Sequence, residues 1–267
     1  MVHGNGIAWV GVLLSAAACG RIGYDPTSAA NEDAAPNLID AMAVDATACE
    51  FDGGFIAPVL QDDWTRADTG SSAVTSLSIP VPAGTQEGDL IVLVLTVDDS
   101  GLVPVTPAGF VQVFAIEGGA RHTAVHYRIA GIAEPAFYLA TWGSDDQAIG
   151  YALRITGAHP TTPIGNFSSS LANSDAATFD AMNTSSDDSL VFATVATPTN
   201  NTICGEWSAP FTTVDCHFND PNDNASVAFN TYTTAGTAVA PIFDFLNPPD
   251  SHAATLFEIL PGVSCGP

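Results

Sequence analysis

Leu90 to Val97 (LIVLVLTV) is an unbroken run of apolar and β-branched residues, entered through Gly88-Asp89. Such a run marks a strand buried on both faces, which needs a covering layer on each side. Other apolar stretches after Cys49 alternate instead. Thr123, Val125, Tyr127 and Ile129 interleave with His122, Ala124, His126 and Arg128, the pattern of a half-exposed strand. Phe137, Leu139 and Thr141 alternate in the same way, as do Ile149, Tyr151, Leu153 and Ile155. Turn-forming groups separate the runs: Pro80-Val81-Pro82-Ala83-Gly84, Pro107-Ala108-Gly109, Glu117-Gly118-Gly119 and Gly143-Ser144-Asp145. No stretch beyond residue 50 carries a long helical period with caps. Short strands at regular spacing predict an all-β chain, an antiparallel β-sandwich or a barrel.

The pattern recurs roughly 100 residues on. GDLIVLVLTVDDS from Gly88 aligns with DSLVFATVATPTN from Asp188, and PAGFVQVF from Pro107 with SAPFTTVD from Ser208. TAVHYRIAG from Thr123 aligns with ASVAFNTYTTAG from Ala225, and YALRITGA from Tyr151 with TLFEILPG from Thr255. Residues 73–166 and 175–262 therefore read as two diverged copies of one strand order. Two small sandwiches in tandem would fit, as would one larger jelly-roll-like sandwich over residues 50–267. The cysteines favour the single sandwich. Cys49 opens the region and Cys265 nearly closes it, so a bond between them brings the two ends within about 7 Å. Cys204 and Cys216 then tie a hairpin-like loop in the second half. Four cysteines allow three connectivities, and the other two stay open.

Ahead of this region, Ile7 to Ala18 is a 12-residue apolar run followed by Cys19. Spanning a bilayer takes roughly 20 such residues, so residues 1–18 read as a signal peptide. The run ending in Ala16-Ala17-Ala18-Cys19 resembles the bacterial lipoprotein signal. That resemblance implies Cys19 as the lipidated first residue of the mature chain. Gly20 after it implies passage to the outer membrane, on its periplasmic face or at the cell surface. Cys49, Cys204, Cys216 and Cys265 then form an even set, suited to an oxidising compartment. Residues 19–48 turn to Ala, Asp, Pro, Asn and Thr without an apolar period, a flexible acidic tether reaching roughly 30 Å. The chain has 29 acidic residues against 5 basic ones, all arginine, for a net charge of -24. That balance excludes a nucleic-acid partner, which needs clustered cations, and excludes docking on anionic lipid through a basic patch.

The segments GDLIVLVLTVDDS, TPAGFVQVF, HYRIAGIAEPAFYLATW and IGYALRITGAHPTTPI together resemble a β-sandwich module of phage structural proteins and secreted bacterial proteins. The resemblance covers residues 73–166 well and residues 175–262 more weakly. It implies a surface or adhesion setting and brings no reaction with it. The second copy lacks the Tyr127-Arg128 and Glu134-Pro135 elements, so a function tied to them would belong to the first half.

No nucleophile elbow, H-E-x-x-H, glycine-rich phosphate loop or C-x-x-C occurs. The paired-carboxylate strand of jelly-roll glycosidases is also missing. Glu258, in TLFEIL, is expected to face outward from an alternating strand; buried, it would be a candidate acid catalyst. His122 and His126 stand roughly 13 Å apart along one strand, too far to share a metal ion, and are expected at the surface or hydrogen-bonded. Asp98-Asp99 and the segment containing Asp220, Asn222 and Asp223 offer the oxygen ligands Ca²⁺ takes, although solvated turns explain them equally. Trp142 and Trp207 lie near expected turns and are candidates to stack on a sugar ring, against packing in the core or its rim. The resulting expectation is an exported, lipid-anchored surface protein, a non-enzymatic binding or adhesion module for glycans or another surface protein. A jelly-roll polysaccharide hydrolase or lyase and a structural envelope protein are the alternatives.

Overall fold

The computed structural model describes residues 51–98, 103–118, 121–174, 176–197, 204–219, 223–245 and 250–265. The expected signal peptide and tether, with Cys19, lie outside the described residues. So do Cys49 and the side chain of Cys265, and with them the expected bond between the two.

The first half runs β1 (Phe51–Ile56), β2 (Val59–Leu60), β3 (Thr65–Asp68), β4 (Val74–Pro80), β5 (Leu90–Asp98), β6 (Val111–Gly118), β7 (Arg121–Ile129), β8 (Phe137–Asp146) and β9 (Ala148–Thr156). The second runs β10 (Ile164–Ser174), β11 (Ala176–Thr178), β12 (Met182–Asn183), β13 (Ser189–Thr197), β14 (Glu206–Trp207), β15 (Thr212–Asn219), β16 (Asp223–Tyr232), β17 (Ala238–Val239), β18 (Ile242–Asp244), β19 (Asp250–Ile259) and β20 (Gly262–Cys265). The described residues form an all-β, antiparallel fold, and no sheet closes into a barrel.

The LIVLVLTV run is β5, at the centre of a six-stranded sheet in the order β2-β9-β5-β7-β6, with β3 also on β9. Its counterpart β13 is central in a five-stranded sheet, β10-β19-β13-β16-β15. Every residue of β13 is buried, as is all of β5 up to Val97. Three apolar layers account for this. Leu90, Val92, Val94, Phe114, Tyr151 and Leu153 from the first half pack with Leu190, Phe192, Val227, Phe257 and Ile259 from the second, so the two large sheets share one interior. Phe114 stacks on Phe167 at 5.5 Å between ring centres and lies 6.4 Å from Phe257 across this layer. The opposite face of β5 packs under β4 and β8, with Leu77, Ile79, Tyr138, Ala140 and Trp142. The opposite face of β13 packs with Ala177, Phe179, Met182, Val239 and Phe243 from its own short strands. Each half thus has its own interior, and the two share a third.

This layering corrects several local expectations, β9 among them: it is buried on both faces as far as Leu153, not half-exposed. β7 is buried on both faces through most of its length, not half-exposed, because the apolar layer containing Phe110, Ala130 and Tyr138 lies on the side of the sheet away from the shared interior. Gly143-Ser144-Asp145 is not a turn: β8 continues to Asp146, and Trp142 points inward from its middle.

The first and last described strands meet. β1 pairs with β20, Phe51 opposite Cys265. The link between the halves joins them at Gly157, whose φ of +73° is open to glycine at no steric cost. A Cβ there would also fall 2.5 Å from the Ala57 carbonyl oxygen, and the Gly157 carbonyl accepts from Gly262 N at 2.7 Å.

Candidate functional site

Few charges enter this fold, and the buried ones hold loops. On β9, Arg154 lies opposite Ile91 and donates to Asp63 (2.8 Å) and Asp89 (3.2 Å), while Asp63 also accepts from Gly84 N. Burial opposes ionisation of Asp63, but the Arg154 hydrogen bond, the Gly84 amide and the guanidinium charge outweigh it and hold the carboxyl below its ordinary range. Glu258 on β19 lies opposite Val191, the corresponding position of the other central strand. Its side chain is fully buried, correcting the outward orientation expected from alternation. It accepts from Ser189 Oγ (2.6 Å), Ser185 Oγ (2.7 Å), Ser185 N (2.8 Å) and Asn166 N (3.0 Å). Burial alone would raise its pKa; the serine and backbone donors more than compensate and hold it below the usual carboxylate value. An ionised carboxylate surrounded by donors is a poor proton donor, so the acid-catalyst chemistry considered for Glu258 does not fit its surroundings.

Arg128 and Glu134 form a third such group. Their side chains meet at 3.0 Å, Glu134 accepts from Gly131 N and from the Tyr138 hydroxyl, and the guanidinium lies over the Phe110 and Tyr138 rings at 5.6 and 5.9 Å. The Tyr-Arg and Glu-Pro elements of the first half therefore fix the turn that delivers the chain into β8. Between the halves, Arg66 pairs with Asp215, His217 Nε2 meets Asp68 at 3.1 Å, and the Tyr151 hydroxyl donates to the Ala225 carbonyl at 3.2 Å. Burial and the nearby Arg66 charge lower the His217 pKa despite the two carboxylates, so this imidazole is neutral at pH 7.

His122 and His126 are buried, correcting the surface expectation. His126 is fully enclosed, neither ring nitrogen has a hydrogen-bond partner among the described residues, and burial pushes its pKa down to about 4. Trp142 is also buried, 5% exposed, and offers no face for a ligand. Trp207 is half-buried against Phe243 (4.9 Å), Phe179 and Phe211, with its indole N–H donated to Ser226 Oγ at 2.8 Å. The Cys204–Cys216 disulfide is present and lines an apolar recess with Val195, Phe218, Phe243 and Phe245. The recess holds about 20 Å³, room for roughly one water. Of the candidate calcium ligands, Asp98 ends β5, whereas Asp99, Asp220, Asn222 and the side chain of Asp223 lie outside the described residues. Among the described residues no group of three or more His, Cys, Asp or Glu side chains could hold a metal ion.

One surface with exposed apolar side chains is the outer face of the β4–β8 pair; Phe167 and Leu171 on β10 form another such row. Leu77 and Ile79 point inward from β4, leaving Ser76, Ser78 and Pro80 outside. Tyr138, Ala140 and Trp142 point inward from β8, leaving Phe137 and Leu139, each 50% exposed, and Thr141 outside. The register sets Ser76 beside Thr141, Ser78 beside Leu139 and Pro80 beside Phe137. Val105, 59% exposed, bridges to Thr141 on the other side. None of these outward residues is charged; the carboxylates of β8, Asp145 and Asp146, lie beyond them at its far end. The sequence pattern makes Phe137, Leu139 and Thr141 the apolar side of an alternating strand; they turn outward and Tyr138, Ala140 and Trp142 are buried instead, because β8 is apolar on both sides and alternation alone does not say which side is covered. That double apolarity was itself the available signal.

Searches against protein-family models, curated proteins and solved structures find no match to the chain.

Proposed function

We propose that the chain is an exported surface lipoprotein, with lipid on Cys19, residues 20–48 as a tether, and a non-enzymatic binding or adhesion head. We read that head as a single jelly-roll-like sandwich domain over residues 50–267, built from two diverged halves. The equivalent orders of the two large sheets support this, as does the placement of Leu90 beside Ile155 and of Leu190 beside Ile259. Gly88 (φ +89°) and Asp188 (φ +52°), aligned in the sequence, both take the left-handed backbone conformation just before the central strand. The lipoprotein-like signal and the resemblance of residues 73–166 to surface modules support the setting. The observation that carries a binding role is the uncharged stretch of the β4–β8 outer face, Ser76 to Pro80 and Phe137 to Thr141, on a chain of net charge -24. Exposed apolar side chains gathered on one rigid face mark interaction surfaces.

Fatty-acid labelling of cells making the full chain tests the anchor. Label is expected on the wild type and absent from Cys19→Ala, and equal labelling of both overturns it. Adhesion of cells displaying the chain, measured against cells lacking it on bacterial envelopes, plant cell walls and mucus, tests the head. A gain on at least one surface is expected; none on any surface overturns the binding reading.

A further inference from the structure

Resting on that binding reading, we propose that the outer face of β4–β8 binds a neutral polysaccharide chain. A sugar ring presents an apolar C–H face and a rim of hydroxyls. This face offers both partners in alternation: the Phe137 ring, Leu139, Pro80 and Val105 for the C–H faces, and the Ser76, Ser78 and Thr141 hydroxyls, each donor and acceptor, for the rim. From Phe137 to Thr141 the outward row extends roughly 13 Å along the strand, enough to meet more than one ring. The row lies on an open sheet face, which suits a polymer passing across it.

Charge selects among occupants. A second copy would bring another body of net charge -24 to this face. A cationic ligand is drawn instead to acidic outward positions, Asp145 at the far end of β8 and Glu206 and Asp244, cross-strand neighbours on the short strands of the second half. An anionic ligand is repelled by the chain as a whole. A neutral chain incurs none of these terms. The face is also preorganised, since Leu77, Ile79, Tyr138, Ala140 and Trp142 anchor its strands from beneath and Arg128–Glu134 fixes the entry to β8.

Affinity electrophoresis of the full chain in gels containing dextran, starch, xylan or galactomannan, with alginate as the anionic and chitosan as the cationic polymer, tests the proposal. At least one neutral polymer is expected to retard the wild type. Phe137→Ala and Leu139→Ser should each weaken that retardation by about tenfold, the effect of losing an interface anchor. Ile242→Ser, an equally exposed position on the second half, should leave it unchanged. Melting temperatures establish that the variants fold. Retardation by no neutral polymer, retardation by chitosan alone, or undiminished retardation of both face variants overturns the proposal. So does a dimer in sedimentation that Phe137→Ala dissociates. If displaying cells adhere yet no neutral polysaccharide binds, this inference fails and the adhesion reading stands; if neither occurs, both fall.

Discussion

Glu258→Gln is the substitution whose outcome follows most closely from the geometry. The carboxylate is fully buried and receives two serine hydroxyls and the backbone amides of Ser185 and Asn166. Glutamine keeps one acceptor oxygen and turns an NH₂ group toward the other donors. Two donors then lose their partner at about 1–3 kcal/mol each, and the charge-assisted character of the remaining bonds is lost. The expected destabilisation at pH 7 is about 3–5 kcal/mol, or roughly 6–20 °C in melting temperature for a domain of this size. The pH dependence has a definite sign. Because the folded pKa lies below the unfolded one, the stabilisation is complete above the unfolded value and is lost as pH falls through the folded value. The gap between wild type and Glu258→Gln in urea unfolding should therefore be widest at neutral pH and close under acid. A gap below about 1 kcal/mol at pH 7 would mean that the buried group is already protonated, and the reading of an ionised carboxylate holding the Ser185–Ser189 turn would be wrong.

Arg154→Ala should lower stability by about 2–4 kcal/mol in urea unfolding, because Asp63 and the buried Asp89 lose their shared cation; a loss under about 0.5 kcal/mol would show that the pairing is incidental. For His126 the folded pKa of about 4 lies below the unfolded value, so the neutral ring costs nothing extra above pH 6.5. Below that, protonation favours the unfolded chain, and stability should fall by about 3 kcal/mol between pH 6.5 and 4. His126→Leu should flatten that part of the stability profile, and an unchanged slope would refute the assignment.

The sequence made the strand content legible because β5 and β13 are apolar without interruption and turn residues bound them. Its alternating strands were harder. The burial of β9 on both faces depends on β4, whose Leu77 and Ile79 lie against Gly150, a long-range contact that no local pattern records. Glu258 looked like an outward residue because the serines that enclose it lie 69 and 73 residues earlier in the chain. Trp142 looked like a turn residue because Gly143-Ser144-Asp145 has turn composition, yet those residues lie within β8, in a bulge where the pairing with β4 passes from Thr141 to Asp146. The candidate binding face shares this origin: Phe137 and Leu139 are exposed only because the equally apolar residues between them face the interior.

The interior shared by the two large sheets makes the described residues one folded body, and Phe257→Ala probes it most directly. Phe257 stacks on Phe192 at 5.3 Å within the second half and meets Phe114 of the first. Removing the ring should cost about 3–5 kcal/mol. Hydrogen exchange followed by mass spectrometry should then show protection falling together in β13 and β19 and in β5 and β9. Loss of protection confined to β13 and β19, with β5 and β9 unchanged, would show that the halves fold independently and would contradict the account.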